Sequence, residues 1–348
     1  MRIGIIAPPW VQVPPPAYGG TEAMLDVLAR GLESAGHEVV LFATGDSTCA
    51  VAVRSVHPTA TGVNGGGPLA ELRQVIAAYD ELSDCDVIHD HTLSGPLYAA
   101  RFPHQPVVTT NHGPFDEGLT ALYRAATARV PLVAISHHQA STATDVPVAA
   151  IIHHGVDVAS FPAGDGRGGY ALFVGRMTPD KGVDTAIRAA REAGVPLLIA
   201  AKMREEPEIA WFRDQIQPLL GGDVEFVGEV GGADKLELMA SASCLLNPIR
   251  WPEPFGLVMI EALACGTPVI ATPWGAAPEI VDDGRTGFLR TGHDALVEAL
   301  QRVGELDRST CRVTAKERFS AERMVQDHVA LYRRVASSWP WAPGAGGD

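Results

Sequence analysis

Residues 251–281 read WPEPFGLVMIEALACGTPVIATPWGAAPEIV, and this stretch decides the fold. Leu257–Cys265 is an apolar run without a breaker, which predicts a buried helix. Gly266 stops it, and Thr267-Pro268 leads into a short strand, Val269–Ala271. Pro254, Phe255 and Gly256 form a stiff turn ahead of the helix. Glu253 stands before that turn and Glu261 inside the helix, eight positions on. A helix N-terminus offers free amide N–H groups and partial positive charge to a phosphate. A carboxylate held nearby accepts hydrogen bonds from vicinal hydroxyls of a ribose or hexose. Eight helical residues rise about 12 Å, which sets the separation expected between the two carboxylates. That exceeds the roughly 5–9.5 Å between paired glycosidase carboxyls. The spacing suits contacts to opposite ends of one long ligand, a nucleotide sugar.

The surrounding pattern alternates strands with helices. The first strand covers Arg2–Pro8, a helix Thr21–Ser34, and the second strand Glu38–Thr44. A helix at Pro68–Leu82 leads to a strand at Asp86–His89, with further strands at Pro106–Thr110, Leu132–Ser136 and Ala149–His153. After a polar, Gly-rich linker at Asp165–Gly169 the pattern restarts with Tyr170–Val174, Pro196–Ala201, Val224–Val227, Ser243–Leu246 and Pro268–Ala271. This predicts an α/β chain of two Rossmann-like, doubly wound parallel sheets. The expected divisions are 1–165, 170–320, a last amphipathic helix at 321–336, and a tail at 337–348 in which Trp339 and Trp341 could pack.

The chain has 348 residues, long for a single core, and a formal net charge of −14. Residues 1–165 hold seven arginines, no lysine and sixteen acidic residues. That balance argues against nucleic acid and against docking on an anionic membrane. No run approaches the 18 apolar residues of a membrane span, and MRIGIIAPPW reads as a strand entering a proline loop, not a secretory signal. Five dispersed cysteines without CxxC spacing suggest reduced thiols. The expectation is a cytoplasmic protein, and the sequence leaves its oligomeric state open. Arginines outnumber lysines 23 to 4, a bias consistent with a GC-rich, actinobacterial genome.

Four loops at carboxyl ends of expected strands carry chemistry, where open α/β sheets bind ligands. Gly19-Gly20-Thr21-Glu22 opens a helix and lets the backbone approach a phosphate; simple helix capping is the competing reading. No GxGxxG occurs, so a nicotinamide cofactor is not indicated. Gly175–Gly182, GRMTPDKG, offers Arg176 and Lys181 to a diphosphate. Ala200-Ala201-Lys202 offers Lys202 to phosphate, or only a surface lysine. Gly228-Glu229-Val230 could meet a base through its backbone. Histidines cluster as His89-Asp90-His91, His112, His137-His138 and His153-His154. These could line a cleft and contact sugar hydroxyls, His112 foremost. A metal site is the weaker reading, because the ligands come from separate loops and no Cys/His spacing seals it. Asp84-Cys85-Asp86 imitates a metal-binding DxD but precedes its strand.

Together these motifs resemble glycosyltransferase family 4. The E-x7-E of Glu253 and Glu261 matches, as do GGTE at 19–22, His112-Gly113, GRMTPDKG at 175–182 and GTPVIAT at 266–272. The resemblance implies the GT-B fold, two Rossmann-like domains facing across a cleft, with the helix at 321–336 crossing back to the first. It implies sugar transfer with retention and without metal or separate cofactor, from a nucleoside diphosphate donor, with UDP the expected nucleotide. Glu261 would bind the donor ribose and Glu253 the donor sugar. Phe255, Gly256, Leu257 and Val258 would give backbone contacts. Arg176 and Lys181 would hold the diphosphate, Gly19 and Gly20 would cover it, and His112 would touch the donor sugar. The family often has Asn-Gly where this chain has His154-Gly155, and often glycine at Lys202. The sparse cations of the first half favour a soluble or neutral acceptor, such as a natural-product oligosaccharide in antibiotic assembly or a small metabolite. An epimerase, a phosphorylase or a non-catalytic sugar-nucleotide binder on the same fold are the alternatives.

Overall fold

A computed structural model describes residues 1–62 and 67–340. Trp341 and the rest of the expected tail lie outside the described residues. The chain forms two compact units, Met1–Gly155 with Ala321–Asp348, and Val156–Ser320.

The first unit holds a seven-stranded sheet: β1 (Arg2–Ile6), β2 (Glu38–Phe42), β3 (Ala52–Arg54), β4 (Val87–Asp90), β5 (Val107–Thr110), β6 (Leu132–Ala134) and β7 (Val148–Ile151). Their order is β3-β2-β1-β4-β5-β6-β7, and every pairing is parallel. Strands such as VIHD (β4) and VVTT (β5) are buried along their whole length, as expected of parallel strands covered on both faces. The helix Gly20–Ser34 buries Met24, Leu25, Leu28 and Leu32, spaced for one helical face, against β1 and β2. The helix Ala321–Ser337 adds Met324, Val325, Val329 and Tyr332 to the same core. Trp339 donates from Nε1 to the Pro103 carbonyl at 2.9 Å and packs on this unit.

The second unit holds six strands: β8 (Ala171–Arg176), β9 (Leu197–Lys202), β10 (Val224–Gly228), β11 (Cys244–Asn247), β12 (Val269–Ala271) and β13 (Gly287–Leu289). Their order is β10-β9-β8-β11-β12-β13, again wholly parallel. The doubly wound α/β class read from the sequence is therefore observed. The short strands β3 and β13 were not anticipated.

The expected linker at 165–169 is instead tied into the second unit. Gly164 N donates to the Cys265 carbonyl at 2.9 Å and Gly168 N to the Ser241 carbonyl at 2.9 Å. The Arg308 guanidinium collects the carbonyls of Gly164 (3.1 Å), Ala242 (3.0 Å) and Ala240 (2.9 Å). A distant arginine supplies the order that a Gly-rich sequence lacks.

Each sheet order reverses direction once, between β1 and β4 in the first unit and between β8 and β11 in the second. Ligands of open parallel sheets bind outside the carboxyl ends at such switch points. The end of β8 carries Arg176, and the segments after β8 and β11 carry Lys181 and Glu253.

Candidate functional site

In the second unit two loops are knitted together at the switch point. The turn Pro179–Lys181 follows β8, and an irregular segment from Pro248 to Gly256 follows β11. Arg250 N donates to the Asp180 carbonyl at 2.7 Å, and its guanidinium reaches the Asp184 carboxylate at 2.7 and 2.8 Å. Gly182, at φ 75°, lies so near the second loop that a Cβ there would fall 2.1 Å from the Pro248 carbonyl oxygen. Gly275, at φ 61°, would place a Cβ 2.1 Å from the carbonyl oxygen of Glu253. These close backbone approaches fix where Glu253 sits.

The Lys181 ammonium ion-pairs with Oε1 of Glu253 and lies 5.4 Å from the Trp251 ring centroid. Both members are largely shielded, their side chains 9% and 16% exposed. Arg176 ends β8, in register with Lys202 on β9. Its guanidinium engages no carboxylate among the described residues. Lys202, expected to meet phosphate, is taken up by Glu205 and Glu208 at the start of the helix Glu206–Trp211. Hydrogen bonding with Glu208 and with Lys202 holds Glu205 down to about 2. Its ammonium is thus held by two carboxylates in this structure.

The helix observed at the centre of the decisive stretch is Leu257–Ala264. Glu253 lies outside it, so the 12 Å helical rise does not apply between the two glutamates. Phe255 is buried and meets Phe319 edge-on at 6.3 Å. Leu257 and Val258 bear the first amides of the helix, which have no intrahelical acceptor. Glu261, one turn on, ion-pairs through Oε1 with Lys235 at 2.7 Å. Val230 follows β10, beside Glu229, whose carboxylate takes two bonds from Arg204 at 2.9 and 2.7 Å.

Four buried side-chain atoms of this unit have no hydrogen-bond partner among the described residues: Thr178 Oγ1, Asn247 Nδ2, Trp251 Nε1 and Glu253 Oε2. All four come from the end of β11 and the two knitted loops. Unpaired buried polar atoms cost about 1–3 kcal/mol each, and folded proteins concentrate such groups where a ligand is handled.

In the first unit the loop after β1 brings Gly19 against Pro15 and Glu22; a Cβ on Gly19 would lie 2.7 Å from Pro15 Cβ and 3.1 Å from Glu22 Oε2. Gly20 starts the helix. Burial pushes the Glu22 carboxyl up to about 7. The histidines expected to line a cleft form a buried column. His89 and Asp90 belong to β4 itself, not to the loop after it. His89 bonds Tyr332 Oη at 2.6 Å and Thr110 Oγ1 at 2.7 Å. Its ring lies 3.9 Å from that of His91 and 5.2 Å from that of His328. His91 Nδ1 and His112 Nε2 share a hydrogen bond at 2.9 Å, and His112 stacks on His154 at 5.4 Å. Burial lowers His112 to about 3 and His328 to about 4, and drives His89, His91 and His154 well below the usual imidazole range. Of these residues His112 alone is partly exposed; His91 Nε2 and His112 Nδ1 have no hydrogen-bond partner among the described residues. Gln139 fixes its loop by donating to the carbonyls of Asn111 (3.0 Å) and Gly113 (2.6 Å). Asp84 and Asp86, the DxD mimic, hold the Arg2 side chain (3.0 Å) and the Arg2 amide (2.8 Å) respectively.

Lys235, Arg250, Asp184, Gly275 and Gln139 were not singled out in the sequence. Only Gly275, inside the decisive stretch as Trp274-Gly275, offered a local signal.

Two Rossmann-like, wholly parallel sheets of seven and six strands are the architecture of solved GT-B glycosyltransferases. The chain is a glycosyltransferase similar to family 4: the family model "Glycosyltransferase Family 4" matches residues 18–160, and "Glycosyl transferases group 1" matches residues 168–305. It is 29% identical to a phosphatidyl-myo-inositol mannosyltransferase of Mycolicibacterium smegmatis, across 99% of this chain and 95% of the relative. It is 31% identical to a D-inositol 3-phosphate glycosyltransferase of Mycobacterium tuberculosis, across 54% of this chain and 44% of that one. Among solved structures it resembles AviGT4, a glycosyltransferase involved in avilamycin A biosynthesis, with TM-score 0.73, 25% identity and coverage of 97% and 98%. The fold also matches Anabaena HepE in complex with UDP and glucose, with TM-score 0.77, 20% identity and coverage of 96% and 99%. No helix among the described residues is long and apolar enough to cross a membrane.

Proposed function

We propose that the protein transfers a sugar, with retention and without a metal, from a nucleoside diphosphate donor to a hydroxyl of a soluble, uncharged acceptor. The observation that carries this reading is the set of unpartnered buried atoms on the two knitted loops. Thr178, Asn247 and Trp251 supply donors and Glu253 an acceptor, and a sugar hydroxyl can satisfy either kind. Arg176 and Lys181 then lie where a diphosphate develops charge, and the amides of Leu257 and Val258 add donors. Glu261 takes the ribose hydroxyls. His112, Gly19 and Gly20 are carried by the first unit, and their roles rest on the family resemblance.

In this mechanism the acceptor hydroxyl attacks the anomeric carbon on the leaving-group face as the bond to the diphosphate breaks. The departing phosphate oxygen receives the hydroxyl proton. Positioning and charge stabilisation supply the rate, so no protein nucleophile is needed. UDP is the proposed nucleotide, in keeping with HepE, which is seen with UDP and glucose. The two relatives named for inositol derivatives act on anionic compounds. Here the first 165 residues lack lysine, and three of their seven arginines, Arg2, Arg30 and Arg124, already pair with carboxylates. A neutral polyhydroxylated acceptor suits that surface, and the likeness to AviGT4 fits an oligosaccharide natural product.

Glu261→Ala is expected to weaken nucleoside diphosphate binding about 10–100-fold in calorimetry, from loss of hydrogen bonds to a charged group, with the melting temperature little changed. Unchanged affinity for UDP, GDP and ADP alike would remove Glu261 from the site. Transfer activity is expected to persist in excess chelator; strict dependence on an added divalent cation would overturn the metal-free reading.

A further inference from the structure

We propose that Lys235 is a specificity residue for the nucleotide, reading one ribose hydroxyl jointly with Glu261; this rests on the nucleotide assignment above. Lys235 lies on the helix Gly232–Ser241, separate in sequence from the Gly175–Gly182 loop and the Glu253 segment. That helix is fastened beside the end of Leu257–Ala264: Thr267 Oγ1 donates to the Met239 carbonyl at 2.7 Å, and Cys265 Sγ lies 3.9 Å from the Leu236 carbonyl. From there the Lys235 ammonium reaches Glu261 Oε1 at 2.7 Å, with side chains 24% and 16% exposed.

The pair is half satisfied on both sides. One of three ammonium N–H groups is used on Oε1, and no second acceptor is present among the described residues. Glu261 Oε2 accepts from no described side chain and is not among the buried unpartnered atoms. A carboxylate alone can only accept, so it binds the proton of a hydroxyl and ignores its oxygen. An ammonium beside it can donate to that oxygen. A hydroxyl bridging the two makes both bonds at once; a hydrogen atom in its place makes neither and leaves both charges short of a partner. Sites built this way reject the analogue lacking the hydroxyl far more strongly than a single contact would. Lys235 also fixes the Glu261 carboxylate in one orientation before the nucleotide arrives, lowering the ordering cost of binding.

The experiment measures affinities, by calorimetry, of the tightest binder among UDP, GDP and ADP and of its 2′-deoxy and 3′-deoxy forms. The proteins are the full chain and its Lys235→Met, Lys235→Arg and Glu261→Gln variants. Lys235→Met is expected to weaken ribonucleotide binding about tenfold, the range of a hydrogen bond to a charged group. It should shift binding of at least one deoxy form less than about twofold, since that contact is already absent. Lys235→Arg should keep most of the discrimination. In transfer assays KM for the donor should rise with kcat at saturation unchanged, the mark of uniform binding. Equal loss for ribo and both deoxy nucleotides would make Lys235 a general electrostatic contributor and overturn the proposal. If Glu261→Gln weakens binding and Lys235→Met does not, the ribose site stands and the role of Lys235 falls. If neither variant changes affinity, the nucleotide assignment itself is wrong.

Discussion

Lys181→Met is expected to lower kcat/KM about 10²–10³-fold, the usual effect of removing one donor aimed at developing negative charge. Lys181 is doubly engaged. It holds Glu253 through Oε1, and it belongs to the cationic pair assigned to the diphosphate. Without it Glu253 would keep both oxygens unpaired, because Oε2 already lacks a partner. Stability should fall by about 1–3 kcal/mol from that unpaired charge. The double variant Lys181→Met/Glu253→Gln separates the two roles. It should regain most of the lost melting temperature, since no buried charge is left alone, and none of the activity. Steady-state kinetics and thermal melts of the three variants decide this. Recovered activity in the double variant would show that Lys181 serves only to neutralise Glu253.

Acid should unfold the first unit at a higher pH than carboxylate protonation alone would require. Five imidazoles, His89, His91, His112, His154 and His328, are buried neutral, with folded values depressed below the 6.5 of an open chain. An unfolded chain takes up these protons below pH 6.5 while the folded unit refuses them, so stability is full above about 6.5 and falls as pH drops. At pH 4, His112 and His328 each cost about 3 kcal/mol, at roughly 1.4 kcal/mol per pH unit. Glu22 and Asp90 act in the opposite sense. Burial raises both to about 7, so the folded unit binds their protons first and gains stability as pH falls from 7 towards 4. Two acids offset about two histidines of similar size and opposite sign, leaving the remaining three to destabilise. Melting temperatures between pH 8 and 4 should fall below about pH 6, with amides of β4 and β5 losing hydrogen-exchange protection together. His328→Gln removes one titrating ring and should move the midpoint lower. A midpoint below about pH 4 that ignores this substitution would contradict the assignment.

The candidate site is built largely from residues close together in sequence. Glu253, Phe255, Gly256 and Glu261 are close in sequence, and the helix between them follows from a continuous apolar run. Arg176 and Lys181 stand in a Gly-bounded loop after a strand. The partners of Lys202, Glu205 and Glu208, look like ordinary surface glutamates in the sequence, and only the fold brings them to its ammonium. The histidines read as donors lining a cleft, yet β4 carries His89 and Asp90 into the interior, where Tyr332, from the far end of the chain, bonds His89.

The sequence by itself determined the α/β class, the repeat of the strand–helix pattern and the glutamate pair, because periodicity, breakers and capping act over a few residues. Tertiary structure alone decided which charges are left open. Among the described residues Arg176 meets no carboxylate while Lys202 meets two, Lys235 meets Glu261 across 26 positions, and Arg308 ties down a glycine-rich segment more than 140 residues away. Coulombic and hydrogen-bond partners are chosen by distance in space, and the parallel crossovers set that distance independently of separation along the chain.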